Sequence, residues 1–317
     1  MSEPADFVTR LRAERQDPGR EEALRLDKAR RRRKAVLIGC AGALVLTGFG
    51  VWLASVTGDR PANEPYAPQA LQEDMWPDEW PATVRLPFRG SPAAAWEDGA
   101  AGIVAPKAEA AGDHSVTEVA AALRHSREFL LESNVTPEPL AGGRPSAAMD
   151  LLDPRDPGTA ALEAALQHPD EKHSPLDVFT RFDPDEEAVV KGAVKSRGTM
   201  TYEVAPSGEL LVHADYTFVY AVTKNHGGWE IVPGAPEAAR VIVRREVTLT
   251  PSHGRLALRG SERLVVNADC GAPEDGYVHP LYHAAAAKAP KGTSLDPYAK
   301  GKAIDDIPTG CVTATRT

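Results

Sequence analysis

The sequence is poor in cysteine, in aromatic residues and in recognisable catalytic motifs. Three cysteines in 317 residues allow one disulfide and exclude a densely cross-linked scaffold. There is no Gly-x-Ser-x-Gly elbow, no Ser-x-x-Lys, no His-Glu-x-x-His and no Gly-x-x-x-x-Gly-Lys loop. The nucleophiles, metal-binding helices and phosphate cradles that those spacings build are therefore not expected. Positive charge is also in short supply, with 36 Lys and Arg against 45 Asp and Glu and a net charge of −9. Neither a basic folded face nor aromatic platforms can be read from it, so nucleic acid is not an expected partner. Long apolar runs are missing too, with one exception.

That exception is residues 35–56, AVLIGCAGALVLTGFGVWLASV, which contain no charged side chain and follow directly on Arg30, Arg31, Arg32, Arg33 and Lys34. At about 1.5 Å of rise per residue, such a helix crosses the ~30 Å hydrocarbon layer. Residues 1–34 carry 11 basic and 7 acidic groups, or +4, which leaves −13 for the remainder. Lys and Arg beside a span are retained on the cytoplasmic side. The expectation is a single-pass plasma-membrane protein with a cytoplasmic N-terminus and an extracytoplasmic C-terminal domain. A cleaved signal peptide has a shorter apolar stretch and a small-residue cleavage site, and the lipobox-like Leu37-Ile38-Gly39-Cys40 has too few apolar residues before its cysteine. Residues 1–34 are too polar to bury a core. Their basic cluster sets topology, with anionic headgroups as the alternative role. Gly39, Ala43 and Thr47 have the small-xxx-small spacing that admits a second helix, as in a homo-oligomer.

Residues 57–81 are rich in proline and acidic side chains and read as a semi-rigid linker. Trp76 and Trp80 within it are expected to dock on the outer domain. That domain is read over 82–270, beginning with short extended segments at 83–88 and 102–105. Ser115-Val116-Thr117-Glu118 fits a capping box, and Val119, Leu123 and Leu130 share one side at helical spacing, which predicts a helix over 116–133. Shorter helices are predicted at 146–152 and 159–167, bounded by Asp-Pro, Pro-Gly and His-Pro breaks. Beyond Leu176 the period becomes 2. Leu210, Val212, Ala214, Tyr216, Phe218, Tyr220 and Val222 line one face of a long strand, and 241–250 and 255–269 repeat the pattern, with Gly260 a bulge or bend. A strand at 199–204 joins Leu210 through the turn at 206–208. The fold class is α+β, with helices packed on a curved, cone-like antiparallel sheet.

This order of elements, over 115–270, resembles the nuclear-transport-factor-like cone fold. With one membrane helix and a proline-rich spacer ahead of it, the chain is similar to mammalian-cell-entry-associated membrane proteins of actinobacteria and to single-span scaffold subunits of type IV secretion and conjugation machines. The Ala, Arg, Gly and Pro bias suits a GC-rich actinobacterial genome. The resemblance implies a noncatalytic envelope domain that docks other subunits, although some members of the fold are enzymes.

Cys270 and Cys311 are expected to form a disulfide in an oxidising exterior, closing a loop of roughly 40 residues and tying the tail, 271–317, to the sheet. The alternative is a metal site, because His279 and His283 are four apart beside Cys270 and Asp269; Pro280 places His279 at or before a helix cap. Asp183, Asp185, Glu186 and Glu187 read as a solvated acidic turn, with calcium binding or paired acids as the alternative. His213 and Asp215 share one strand face and are the candidate ligand-binding pair, set against plain exposure on the outer sheet face. The sequon Asn134-Val135-Thr136 is followed by Pro137 and is given no function. No catalytic residue, metal or cofactor is expected. The expected function is a membrane-anchored scaffold or protein-interaction module of a bacterial cell-envelope complex, its partners the lipid bilayer and envelope proteins. The alternatives are a ligand-binding or sensing domain using a cone pocket, and a tethered hydrolase. A filled interior favours the scaffold; an open pocket with convergent polar groups favours binding.

Overall fold

Apart from a two-residue edge strand, helices come first and long antiparallel strands follow, an α+β arrangement. The computed structural model describes residues 82–225, 231–232, 235–283, 292–299, 303–307 and 312–314, all within the unit Ala67–Thr317. The expected cytoplasmic segment, membrane helix and linker, with Cys40, Trp76 and Trp80, lie outside the described residues. Among the described residues no helix is long and apolar enough to cross a membrane.

Helix α1 (Val116–Asn134) opens on the predicted capping box. Ser115 Oγ accepts from the Glu118 backbone N–H at 3.3 Å, and Glu118 Oε2 accepts from the Ser115 N–H at 2.8 Å. Two donors that a helix start leaves orphaned are thereby satisfied. Val119, Leu123 and Leu130 are buried on its inner side, with Phe129 beside them. Three shorter helices follow: α2 (Pro137–Leu140), α3 (Ser146–Leu151) and α4 (Pro157–Gln167). The single turn α2 was not anticipated; Pro137 occupies its first position, where a missing N–H costs nothing.

Five strands run side by side in chain order, all antiparallel: β1 (Glu97–Asp98), β2 (Glu187–Val204), β3 (Leu210–Lys224), β4 (Ala239–Ser252) and β5 (Arg255–Val266). His253 and Gly254 alone connect β4 to β5, both left-handed at φ 50° and 79°, the backbone sense that matches strand twist in a two-residue hairpin. In β5 one extra residue, Arg259, interrupts the register between Leu249↔Leu258 and Thr248↔Gly260, which is the irregularity expected at Gly260. A larger one lies in β2, where the pairing jumps from Val189↔Val222 to Val194↔Tyr220. Residues 190–193 arch out of the ladder there, with Gly192 at φ +74°, a conformation that a Cβ disfavours. Strand β2 thus begins well before residue 199, where the sequence pattern suggested. The arch and Lys191 and Lys195 break its alternation, which hides the first half from a period-2 reading.

The segment expected to be extended at 83–88 is instead bends and turns after an isolated bridge at Thr83, whereas 103–105, the rest of the second expected segment, are not turns and Ile103 is extended. Ser91 Oγ accepts from the Ala93 N–H and caps a 3₁₀ turn, Pro92–Ala95, and a second turn, Gly99–Gly102, follows β1. They do pack on the domain, as expected. Phe88, Ala93 and Trp96 cover Val219, Ala221, Ile242 and Val266 on one face of the sheet, together with Val312 and Tyr298 from the tail. A short parallel pair, β6 (Thr293–Leu295) and β7 (Val312–Ala314), belongs to that tail. The helices cover the opposite face, where the main core sits.

Candidate functional site

Around β3 the helix-covered face of the sheet is filled. Tyr216, Phe218 and Tyr220 are wholly buried and stack along β3 with centroids 6.3 Å apart, and Phe182 meets Tyr220 edge-on at 5.6 Å. Among them lies Arg245, 1% exposed. Its Nε donates to Asn134 Oδ1 at 3.0 Å, Nη1 to the Leu176 carbonyl at 2.8 Å, and Nη2 to the Phe179 carbonyl at 3.1 Å. Thr180 Oγ1 donates to the same Asn134 oxygen at 3.0 Å, and Tyr220 Oη donates to the Asn134 carbonyl at 2.8 Å. Burial brings the Arg245 pKa down to about 10, so the group stays a cation solvated by fixed dipoles. Its position was visible in the sequence as a break in parity between Val243 and Val247. Asn134, named for its sequon, is fully buried in this network.

His213 and Asp215 point from the other face of β3 and are engaged across strands. Asp215 accepts two bonds from Arg244, from Nε at 2.9 Å and Nη2 at 2.8 Å, and these raise the Arg244 pKa. His213 Nδ1 lies 3.0 Å from Thr248 Oγ1, and its Nε2 lies 3.3 Å from a Glu203 carboxylate oxygen. Asp215 lines a shallow depression of about 180 Å³ with Arg244, Trp96 and Tyr298. The pair therefore sits on the outer sheet face, held by cross-strand partners, and does not converge on an interior pocket.

A larger cleft, of about 580 Å³, opens where the arch of β2 faces the end of α1 and the turn α2. Val135, Pro137, Leu140, Val189 and Val194 give it aliphatic walls, and Glu187 lines it as well. Of the acidic run, Asp185 and Glu186 are exposed as expected, but Glu187 is only 7% exposed. Its Oε2 is buried without a hydrogen-bond partner. Burial, reinforced by the nearby charges of Glu186 and Asp183 and opposed by His279 and Lys224, pushes the carboxyl up to about 7. The Tyr282 hydroxyl is also buried without a partner, and its pKa is raised by burial and then by Glu187, Glu237 and Glu186. Reading the run as one solvated turn missed Glu187, whose only signal was adjacency to the apolar Ala188-Val189-Val190.

His279 Nε2 binds the Asp275 carboxylate at 3.1 Å, and its Nδ1 lies 3.8 Å from Glu186 Oε2. The described residues contain no group of three or more His, Cys, Asp and Glu placed to hold a metal ion. Cys270 follows β5, while its expected partner Cys311 lies outside the described residues. No protein family, curated protein or solved structure matches the chain.

Proposed function

We propose that the chain is a single-pass membrane protein whose extracytoplasmic, cone-like α+β domain is a noncatalytic scaffold or interaction module of a bacterial envelope complex, similar in kind to the cell-entry-associated and secretion-scaffold proteins of actinobacteria. The observation that carries this reading is the filled centre of the sheet's helix-covered face. A ligand or active site needs a cavity, and around β3 the space holds stacked aromatic rings and the buried Arg245 network instead. Residues 35–56 with the preceding basic cluster support the anchor and its orientation. Cys270 and Cys311 are the two cysteines outside residues 35–56, which supports their pairing in an oxidising compartment.

Intact cells expressing the full chain provide the test. An impermeant amine reagent should modify Lys288 and Lys300, the protein should require detergent for release, and crosslinking before lysis should yield discrete, reproducible larger species. Release without detergent removes the anchor, and a crosslinked sample that contains only the monomer removes the scaffold. A second reading, ligand binding, is favoured by one observation, the aliphatic cleft with its partnerless buried carboxyl.

A further inference from the structure

We infer that the cleft between α2 and the arch of β2 binds an aliphatic amine, its alkyl tail on Val135, Pro137, Leu140, Val189 and Val194 and its ammonium group on the Glu187 carboxylate. This rests on the ligand-binding reading of the cleft and is independent of the membrane scaffold. About 580 Å³ falls in the range of small-molecule sites. Among the described residues the walls contain no aromatic side chain to stack on a planar ring or to cradle a quaternary ammonium by cation–π contact. Branched aliphatic and proline walls suit a saturated chain, whose burial contributes about 0.8 kcal/mol per CH₂.

The polar end is specified by what Glu187 lacks. A buried carboxylate without a partner is costly, and an ammonium group supplies both the charge and the N–H donors that remove the cost. The surroundings select the sign. Glu186 and Asp183 face Glu187 from the preceding turn, against Lys224 on β3 and His279 from the segment after β5; the Tyr282 phenol is uncharged. Of the other charged groups at the cleft, Asp98 is paired with Lys195 at 2.7 Å and Lys191 stands exposed on the arch. An anionic head placed at Glu187 would add to the negative charge of Glu187, Glu186 and Asp183.

The test compares hexylamine, hexanol and hexanoate, which share one tail, by calorimetric titration of the full chain in phosphatidylcholine nanodiscs, with empty nanodiscs as the reference. Hexylamine should bind saturably and tightest of the three, about tenfold more tightly at pH 8 than at pH 6 as Glu187 ionises. Glu187→Gln should reduce hexylamine to the level of hexanol, while Ala141→Leu, which fills the cleft and leaves Glu187 in place, should weaken both. Hexanol equal to hexylamine in the unaltered protein would leave the cleft standing as a ligand site and overturn the amine. Tighter binding of hexanoate would overturn it in favour of Lys191. If none of the three saturates, the ligand-binding reading falls with it.

Discussion

Glu187 is a carboxyl group that the protein solvates poorly, and the cost of that depends on its charge. Its pKa is about 7 when folded, against an ordinary value of 4.5. Between these values the folded chain keeps a proton that the unfolded chain releases, so stability falls as pH rises through this window and the penalty is complete above pH 7. Glu187→Gln keeps the shape and removes the charge. In chemical unfolding of the full chain in detergent, the variant should gain on the order of 2 kcal/mol at pH 8 and almost nothing at pH 4. An equal gain at both pH values would mean that the side chain's packing, not its ionisation, is at fault. Arg245 shows the opposite solution to burial. It is surrounded by carbonyls, an amide and a hydroxyl, and so remains charged without a penalty that varies across the working pH range.

Arg245 also joins elements: β4 carries it, α1 ends in its partner Asn134, and the 176–180 segment supplies two carbonyls and the Thr180 hydroxyl. Arg245→Met should cost about 3 kcal/mol or more, because the partners stay buried with fewer bonds. Asn134→Ala combined with it should cost clearly less than the separate losses together, since both remove the same contact; additive losses in equilibrium unfolding would break the network argument. At this scale the sequence was legible wherever one periodicity ran unbroken. Val119, Leu123 and Leu130 placed α1, and the alternation from Leu210 to Val222 placed β3 and its buried face. It was illegible where a local feature overrode the period. The arch at Gly192 concealed the first half of β2, Arg245 interrupted the apolar parity of β4, and the four residues of α2 are too few to show a helical period. The cleft is made from two of these, the arch and α2, so it could not be anticipated. The pair singled out instead, His213 and Asp215, follows the polar parity of β3 and lies outside with its cross-strand partners.

For the folded unit, the described parts of both flanks close the second face of the sheet. Phe88, Ala93 and Trp96 arrive from one side of the sequence, Tyr298 and Val312 from the other. Tyr298 meets Trp96 edge-on at 5.5 Å and lies 2.9 Å from Ser91 Oγ, while the Ile304 N–H donates to Glu246 at 3.1 Å. Tail segments are entropically expensive to order, and a covalent tie shortens the search. A Cys270–Cys311 bond closing about 40 residues is worth about 3 to 4 kcal/mol on the loop-entropy account. Cys311→Ser should lower stability by that amount, and a reductant should bring the unaltered chain to the level of the variant while leaving the variant unmoved. The same pair reports on compartment. Trapping thiols in living cells before lysis should find Cys270 blocked, because an oxidising exterior keeps the bond formed. Full alkylation of both cysteines without prior reduction would place the domain among reducing surroundings, and would remove the tie and the extracytoplasmic assignment together.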